Sequence, residues 1–206
     1  YESLVQRQLD ASLEQHLTFL SGDRRADVFV RRDKGPSIAI ELQHSTISLG
    51  ELEARAWSYA RAGITQLWIP FLRADVIADG DIGPDEDTDV VIPRYSLRPY
   101  EHWIAGFHCG DLWLYDPIRE GLWRARVKSH LLYKNETSWF EAGGYENYGG
   151  GYTYPSKLWN DLHLCGPYPL STLRIRRCAG PYGPRPRGYR YPLGPIARLM
   201  PLYERG

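Results

Sequence analysis

The sequence has few cysteines and no long apolar segment. Its three cysteines, among 206 residues, are widely spaced and form no C-x-x-C pair. An odd number of scattered cysteines argues against a disulfide framework and favours a reducing compartment, so we expect a cytoplasmic location. No run approaches the roughly 18 apolar residues of a membrane-spanning helix, and no basic segment followed by an apolar run opens the sequence. We therefore expect no membrane partner.

The sequence also lacks two motifs that mark large enzyme classes. It contains no G-x-x-x-x-G-K pattern, whose glycine-rich loop cradles nucleotide phosphates, so a P-loop nucleotide hydrolase is not expected. It contains no G-x-S-x-G pattern, and no spacing of serine, histidine and aspartate assembles a catalytic triad. The chemistry must therefore be sought in other residues.

Charged and aromatic residues are divided unevenly along the chain, although the net charge is zero. Residues 1–94 contain 10 Lys and Arg against 16 Asp and Glu, whereas residues 95–206 contain 15 against 9. This division indicates either that one part handles cations and the other phosphates, or only that an acidic loop and a basic tail lie at opposite ends. The change in residue composition along the chain predicts a core domain at 1–73, an acidic linker at 74–94, a β-rich region at 95–173 and an Arg-, Pro- and Gly-rich tail at 174–206.

The N-terminal region has α/β patterning. Apolar residues at helical spacing predict a helix over residues 2–12, and short β-branched runs predict strands over 26–30, 37–43 and 66–71. Ser48 is a suitable N-cap for a helix over 49–61, whose apolar face comprises Leu49, Leu52, Ala56 and Tyr59. This order predicts an α/β fold in which an antiparallel strand pair is followed by a parallel crossover.

The C-terminal region is rich in glycine, proline and aromatic residues, which suits short antiparallel strands joined by tight turns. Residues 143–152 are typical of a flexible loop, and the tail from Arg174, with eight arginines against one acid, is expected to contain little regular structure. The strand-like runs are 102–108, 111–115, 121–127 and 129–134.

Two metal hypotheses in these regions stay open, although neither spacing matches a usual motif. The acidic loop at 75–89 is dense in oxygen ligands of the kind that calcium prefers, without the spacing of an EF-hand. Four residues in the C-terminal half supply enough ligands for zinc. They are His108, Cys109, His163 and Cys165.

The most informative feature is a pair of acids on neighbouring predicted strands. Asp27 lies in the first strand and Glu41 in the next, 14 positions later. If the strands pair around the turn at residues 31–36, opposed side chains lie within about 5 Å of each other. Two such carboxylates raise each other's pKa, and a divalent cation removes that cost because Mg²⁺ prefers hard oxygen ligands. Gln43 points to the same face as Glu41 and can orient a water or a phosphate oxygen.

The two acids also allow a purely structural interpretation. Carboxylates at strand ends are often satisfied by nearby guanidinium groups. Asp27 and Glu41 can therefore be paired with Arg24, Arg25 or Arg55.

Substrate contacts are predicted from the helix and the turn that follow Glu41. Arg55 and Tyr59 share one helix face at positions i and i+4. Arg55 either contacts a substrate phosphate or pairs with Glu51, which is also four residues away. Ser45 either presents its hydroxyl to a ligand or serves only as a turn residue.

Together these motifs resemble the PD-(D/E)XK nuclease core and, more narrowly, the nuclease domain of the competence protein CoiA-like family. The resemblance covers residues 1–71, about a third of the chain, and depends on the order and spacing of short motifs. These are R-x-D-V at 25–28, I-E-L-Q-H-S-T-I-S at 40–48, R-x-x-x-Y at 55–59 and W-I at 68–69.

This resemblance implies a restriction-endonuclease-like core, a mixed central sheet flanked by helices, which the β-rich and aromatic-rich C-terminal region follows. It implies that Asp27 and Glu41 bind Mg²⁺ or Mn²⁺ with the backbone carbonyl of Leu42, and that Glu2 of the first helix joins the site. Gln43 stands where the wider superfamily has lysine, and the CoiA-like branch resembles this sequence in using glutamine there. Because glutamine carries no charge, water activation would depend more on the metal.

The sequence thus predicts a Mg²⁺- or Mn²⁺-dependent nuclease that hydrolyses phosphodiester bonds. DNA as the partner and a homodimeric state are implied by the resemblance. Two other functions stay open: a nucleic-acid-binding module that keeps the fold but cleaves little, and a β-sandwich ligand-binding protein built on the aromatic half. The catalytic candidates are Asp27, Glu41, Gln43 and Glu2, and the candidates for substrate contact are Arg55, Tyr59 and Ser45.

Overall fold

A computed structural model describes residues 10–18, 23–73, 76–77, 80–82, 88–178 and 188–202. The N-terminal part is a four-stranded sheet of order β1-β2-β3-β4, in which β1 to β3 are antiparallel and β4 is parallel to β3. The predicted α/β class, with an antiparallel strand pair before a parallel crossover, is confirmed. The elements are β1 (Asp10–Leu17), β2 (Arg24–Arg31), β3 (Ile38–Gln43), α1 (Leu49–Arg61) and β4 (Thr65–Pro70).

Helix α1 begins and ends where the sequence predicts. The Ser48 side chain accepts a hydrogen bond from the backbone N–H of Glu51 at 3.2 Å, which satisfies one of the helix's unpaired donors. Leu52, Ala56 and Tyr59 form a fully buried stripe against the sheet. This stripe fixes which face of α1 lies over β3 and β4.

The predicted helix over residues 2–12 is wrong in its last part. Residues 10–12 belong to β1, where Asp10 lies opposite Arg31 and Ala11 opposite Val30. Pairing with β2 supplies backbone hydrogen bonds, and this tertiary gain overrides the helical spacing of the apolar residues. Residues 2–9 lie outside the described residues.

The C-terminal part contains a five-stranded antiparallel sheet and two separate strand pairs. The sheet has the order β5-β6-β11-β8-β7, and the pairs are β9 with β10 and β12 with β13. Phe71 and Tyr115 form a parallel bridge between the N-terminal sheet and β7. The elements are β5 (Asp81–Ile82), β6 (Val90–Tyr95), α2 (Pro99–Phe107), β7 (Leu112–Asp116), β8 (Gly121–Lys134), β9 (Thr137–Phe140), β10 (Glu146–Gly149), β11 (Tyr152–Pro169), β12 (Leu173–Cys178) and β13 (Ile196–Pro201).

Three predictions for this part are wrong. The run 102–108 belongs largely to helix α2, because Tyr100, Trp103, Ile104 and Phe107 recur at helical spacing and are buried together. The predicted loop at 143–152 contains β10, and the predicted irregular tail contributes β12 and β13. In that tail Leu173, Ala197 and Leu199 are buried, so apolar residues between the arginines stabilise a strand pair.

Two hydrophobic clusters join the two parts of the chain. One face of the N-terminal sheet, with Val30, Ile40 and Ile69, packs against Trp113 and Leu122 of β7 and β8. On the other face, α1 and Trp68 pack in one cluster with α2. The proposed domain boundaries stay a prediction, but the N-terminal sheet shares its core with the C-terminal part.

A long exposed arm leaves this core. The arm comprises residues 128–159, which are the ends of β8 and β11 together with the β9–β10 hairpin. Its aromatic side chains are exposed, with Phe140, Tyr145 and Tyr148 between 71% and 77% accessible.

No helix among the described residues is long and apolar enough to cross a membrane. All three cysteines are free thiols.

Candidate active site

Strands β2 and β3 bring the two candidate acids together. Val28 lies opposite Ile40 and Val30 opposite Ile38, so the same register continued by one position sets Asp27 opposite Glu41. The backbone N–H of Leu42 donates to Oδ2 of Asp27 at 2.7 Å, which holds this carboxylate across β3. The charge of Asp27 contributes to the raised pKa of Glu41, as expected for two neighbouring acids. Their role as metal ligands stays a prediction.

Glu41 is a buried carboxylate with a partner on each oxygen. It is 1% exposed and lies under helix α1. The Tyr59 hydroxyl donates to Oε1 at 2.5 Å, and the Arg55 guanidinium forms an ion pair with Oε2 at 2.9 Å. Burial raises the pKa of Glu41 to about 7, against the opposing effects of Arg55 and Tyr59. Glu41 therefore holds its proton more tightly than an exposed glutamate, and an additional positive charge would oppose this effect.

Tyr59 is the phenol that completes this arrangement. It is fully buried in α1, and burial together with the Glu41 charge raises its pKa far above the ordinary value. The hydroxyl therefore remains a hydrogen-bond donor at any physiological pH. Its position fixes the orientation of the Glu41 carboxylate.

Arg55 connects α1 to both strands. In addition to its ion pair with Glu41, it donates to the backbone carbonyl of Arg25 at 3.2 Å and lies over the Trp68 ring at 5.8 Å from the centroid. The predicted alternatives for Arg55 were a phosphate contact or an ion pair with Glu51. The acid that it contacts is Glu41, as the structural interpretation of the two acids allows. Its side chain is 21% exposed, so part of it reaches solvent.

Gln43 and Ser45 follow at the end of β3. Gln43 is 8% exposed and its Nε2 donates to the backbone carbonyl of Ser45 at 2.5 Å. Ser45 itself is exposed in the turn before α1. The Gln43 amide therefore stabilises this turn. Its role in orienting a water stays a prediction.

The described residues contain no group of three or more histidine, cysteine, aspartate and glutamate side chains able to hold a metal ion. Asp27 and Glu41 are therefore a pair, and their set of hard oxygens would be completed by the Leu42 carbonyl and water. Glu2, the predicted third acid, lies outside the described residues.

A second buried carboxylate shows what distinguishes Glu41. Glu101 in α2 is fully buried, accepts a hydrogen bond from the Tyr95 hydroxyl at 2.9 Å and pairs with Arg98. Glu101 is therefore also held by one tyrosine and one arginine. A buried glutamate with these two partners can be purely structural in this fold. What sets Glu41 apart is the second acid, Asp27, on the neighbouring strand.

Sequence reasoning did not find the hydrogen bond between Tyr59 and Glu41. The available signal was a glutamate in an otherwise buried strand, followed by a helix with arginine and tyrosine one turn apart. This signal predicts a metal ligand with two substrate contacts. The structure adds that the arginine and the tyrosine each contact this glutamate.

Comparison with known proteins supports the N-terminal resemblance. Residues 1–73 match the family model described as competence protein CoiA, nuclease-like domain. No curated protein and no solved structure gives a significant match, so the restriction-endonuclease-like fold has no structural counterpart to support it. The predicted resemblance to the CoiA-like nuclease domain is thus confirmed for residues 1–73, which include Asp27, Glu41 and helix α1.

Proposed function

We propose that the protein is a metal-dependent nuclease that hydrolyses phosphodiester bonds at Asp27 and Glu41. The observation that carries the proposal is the position of these two acids on paired strands, inside the residues that match a nuclease-like domain. Burial of Glu41 supports it further, because a carboxylate with a pKa near 7 gains from any additional cation.

The donor set suits a small, hard dication such as Mg²⁺ or Mn²⁺. Oδ1 of Asp27 makes no hydrogen bond with any residue that the structure describes, so it is available to a ligand. Glu41 supplies a second carboxylate and Leu42 a backbone carbonyl in the same strand. Both metals favour such oxygen ligands and keep several waters. When bound, the cation would polarise the phosphate and lower the pKa of a coordinated water.

The residues of α1 would act on the substrate and on Glu41. The Arg55 side chain is partly exposed, and the donors of a guanidinium match the geometry of a phosphate. Tyr59 keeps the Glu41 carboxylate in place through its buried hydrogen bond. Gln43 carries no charge, so in this proposal it contributes by hydrogen bonding alone.

DNA is the proposed substrate. This proposal rests on the matched family model, since the described residues contain no recognisable base-reading motif, and most contacts of such an enzyme go to phosphates. The excess of basic residues in the C-terminal half, 15 against 9 acids, is consistent with a polyanionic partner.

A second copy of the chain is the proposed protein partner. The arm exposes large aromatic side chains, and its three lysines are balanced by three glutamates, so its charge does not favour nucleic acid. Sedimentation velocity over a range of concentrations tests this proposal with Phe140→Ser and Tyr148→Ser. We expect a dimer that both substitutions weaken; a wild-type monomer at all concentrations contradicts it.

A nucleic-acid-binding module with little activity is the second candidate function. The observation that favours it is the occupation of both Glu41 oxygens by Arg55 and Tyr59, together with the Gln43 amide bound to the turn. A metal would have to displace or share the Arg55 ion pair, and a buried ion pair that resists exchange would leave binding without cleavage.

Cleavage assays separate these two functions. Supercoiled and linear DNA are incubated with Mg²⁺ or Mn²⁺ and the wild type, Asp27→Asn or Glu41→Gln. Asp33→Asn, which removes an acid from the exposed turn between β2 and β3, is the matched control. We expect cleavage by the wild type and the control, and loss in both site variants. Cleavage that survives both site substitutions contradicts the site, and salt-dependent binding without cleavage by any variant favours the second candidate.

A further inference from the structure

A basic pocket lies on the outer side of α1, next to the candidate active site. It has a volume of about 470 Å³ and collects arginines from three distant parts of the sequence. Arg24 comes from the start of β2, Arg61 from the end of α1, and Arg190 from the segment before β13. The remaining lining residues, all from α1, are Ala54, Trp57 and Ser58.

We propose that this pocket binds a single-stranded nucleic-acid segment, with arginines on its phosphates and Trp57 against a base. The inference rests on the proposed function, since it names the substrate form that the neighbouring site would receive. It goes beyond that function because neither the carboxylate pair nor the family match identifies a second contact region.

The charges of the pocket favour an anion. None of the three arginines forms an ion pair with a residue in the described ranges. The Nε of Arg24 is buried without a hydrogen-bond partner among described residues, while its Nη1 donates to the backbone carbonyl of Asp23 at 3.0 Å. A carboxylate also lies beside this region: that of Glu53 accepts from the backbone N–H of Arg190 at 2.9 Å. That bond fixes the Arg190 backbone and does not involve its guanidinium.

Three guanidinium groups around one pocket repel one another unless an anion lies between them. A guanidinium offers a planar fork of donors that matches phosphate oxygens in pairs, which makes phosphate the best fit among common anions. A polymer of phosphates that carries bases fits better than a single ion, because the pocket combines three arginines with a tryptophan ring.

Trp57 indicates what the phosphates carry. Its ring is half-buried in the pocket wall, with the Arg61 guanidinium 5.9 Å from the ring centroid. Aromatic rings beside basic groups bind single strands by stacking on unpaired bases. A base inside a duplex does not expose its face, so the ring favours a single-stranded segment.

The pocket and the carboxylate pair both involve strand β2 and helix α1. Ala54 and Ser58 line the pocket, and the next residues, Arg55 and Tyr59, contact Glu41. Adjacent residues of a helix point about 100° apart, so the two sites occupy neighbouring sides of α1. One strand passing along α1 can therefore contact both.

Binding without metal tests the inference independently of cleavage. Fluorescence anisotropy is measured in EDTA with a labelled oligothymidylate and with a duplex of equal length, using the wild type, Arg61→Ala, Arg190→Ala and Trp57→Leu. Arg32→Ala, an exposed arginine in the turn after β2, is the matched control. Thermal unfolding checks that each variant is folded.

We expect the wild type to prefer the single strand. Trp57→Leu should weaken this binding about 10-fold, as for loss of one stacked base, and each pocket arginine variant should reduce the salt slope by about 0.7. Arg32→Ala should leave affinity unchanged. The inference is overturned if all variants bind the single strand with equal affinity, if Arg32→Ala loses as much affinity as the pocket variants, or if the duplex is preferred. It is also overturned if the protein binds inorganic phosphate but does not bind the oligonucleotide.

The two proposals fail in different ways. Pocket-dependent binding of the single strand without cleavage by any variant contradicts the nuclease and supports the pocket. Cleavage that needs Asp27 and Glu41 but is unchanged in the pocket variants supports the nuclease and overturns the pocket.

Discussion

Replacing Glu41 by glutamine should change how the stability of the protein depends on pH. Burial is the largest cause that raises the pKa of Glu41 from 4.5 to about 7. Because the folded state binds this proton more tightly than the unfolded state, protonated Glu41 contributes stability that is fully present below the unfolded pKa. This contribution is lost as the pH rises from 4.5 through about 7.

The size of the effect follows from the difference between the two pKa values. A rise from 4.5 to about 7 corresponds to about 3 kcal/mol of unfolding free energy, lost between about pH 4 and pH 8. The side chain is 1% exposed, so solvent screening does not reduce this figure. Glutamine has a similar shape, can accept the Tyr59 hydrogen bond and does not titrate. The stability of Glu41→Gln relative to the wild type should therefore rise by about 3 kcal/mol over this range.

Urea unfolding followed by tryptophan fluorescence measures this difference. Both proteins are unfolded at several pH values between about 4 and 8, in chelator so that no divalent cation contributes. Asp33→Asn, which removes an acid from an exposed turn, should follow the wild-type curve. Parallel pH curves for the wild type and Glu41→Gln would contradict this prediction, because they would mean that Glu41 titrates alike in the folded and unfolded states.

Other variants test single contacts. Tyr59→Phe should lower the free energy of unfolding by about 1–2 kcal/mol in urea melts, because the buried Glu41 carboxylate loses the hydroxyl that donates to it. Loss of this hydrogen bond should also raise the Glu41 pKa further. Arg55→Gln should cost about 3 kcal/mol at alkaline pH and less at acidic pH, where protonated Glu41 needs no cation; equal costs in urea melts at both would contradict the ion pair. Ser48→Ala should cost about 1 kcal/mol by the same measurement, through loss of the α1 cap. Gly150→Ala should raise hydrogen exchange in the arm, since its φ is +90° and an added Cβ would lie 1.9 Å from a backbone carbonyl oxygen; unchanged exchange there would contradict it.

The N-terminal architecture was predictable because its signals are local. Strand β3 is a short β-branched run between turn residues, and α1 has a cap at Ser48 and a buried stripe ending at Tyr59. Local signals of this kind also set the order of the elements and the juxtaposition of Asp27 and Glu41. The exception is residues 10–12, where pairing with β2 decides the structure and no local feature announces it.

The C-terminal part was less predictable because its structure depends on distant pairing. Strand β8 continues from Gly121 to Lys134, where the sequence suggested two runs, because β11 pairs along most of its length. The sequence of 102–108 predicts a strand, since aromatic residues favour strands locally. In the structure Trp103 and Phe107 of helix α2 pack against Tyr191 instead. Composition alone does not reveal such contacts.

In the candidate site, the sequence predicted the participants but not all of their contacts. The convergence of Asp27 and Glu41 follows from strand spacing, and Arg55 was among the possible partners of either acid. The choice of Glu41 over Glu51 as the partner of Arg55 depends on burial, because the sheet-facing side of α1 offers Arg55 a desolvated carboxylate. Burial of one carboxylate beneath a helix is a tertiary property that spacing does not encode.

Titration with Mn²⁺, followed by the electron paramagnetic resonance signal of the free ion, measures whether Asp27 and Glu41 bind a dication. We expect the wild type and Asp33→Asn to bind one Mn²⁺ per chain, and Asp27→Asn and Glu41→Gln, each shown to be folded, to lose this ion. A wild type that binds no Mn²⁺, or site variants that bind it as the wild type does, would contradict a metal site at these two acids.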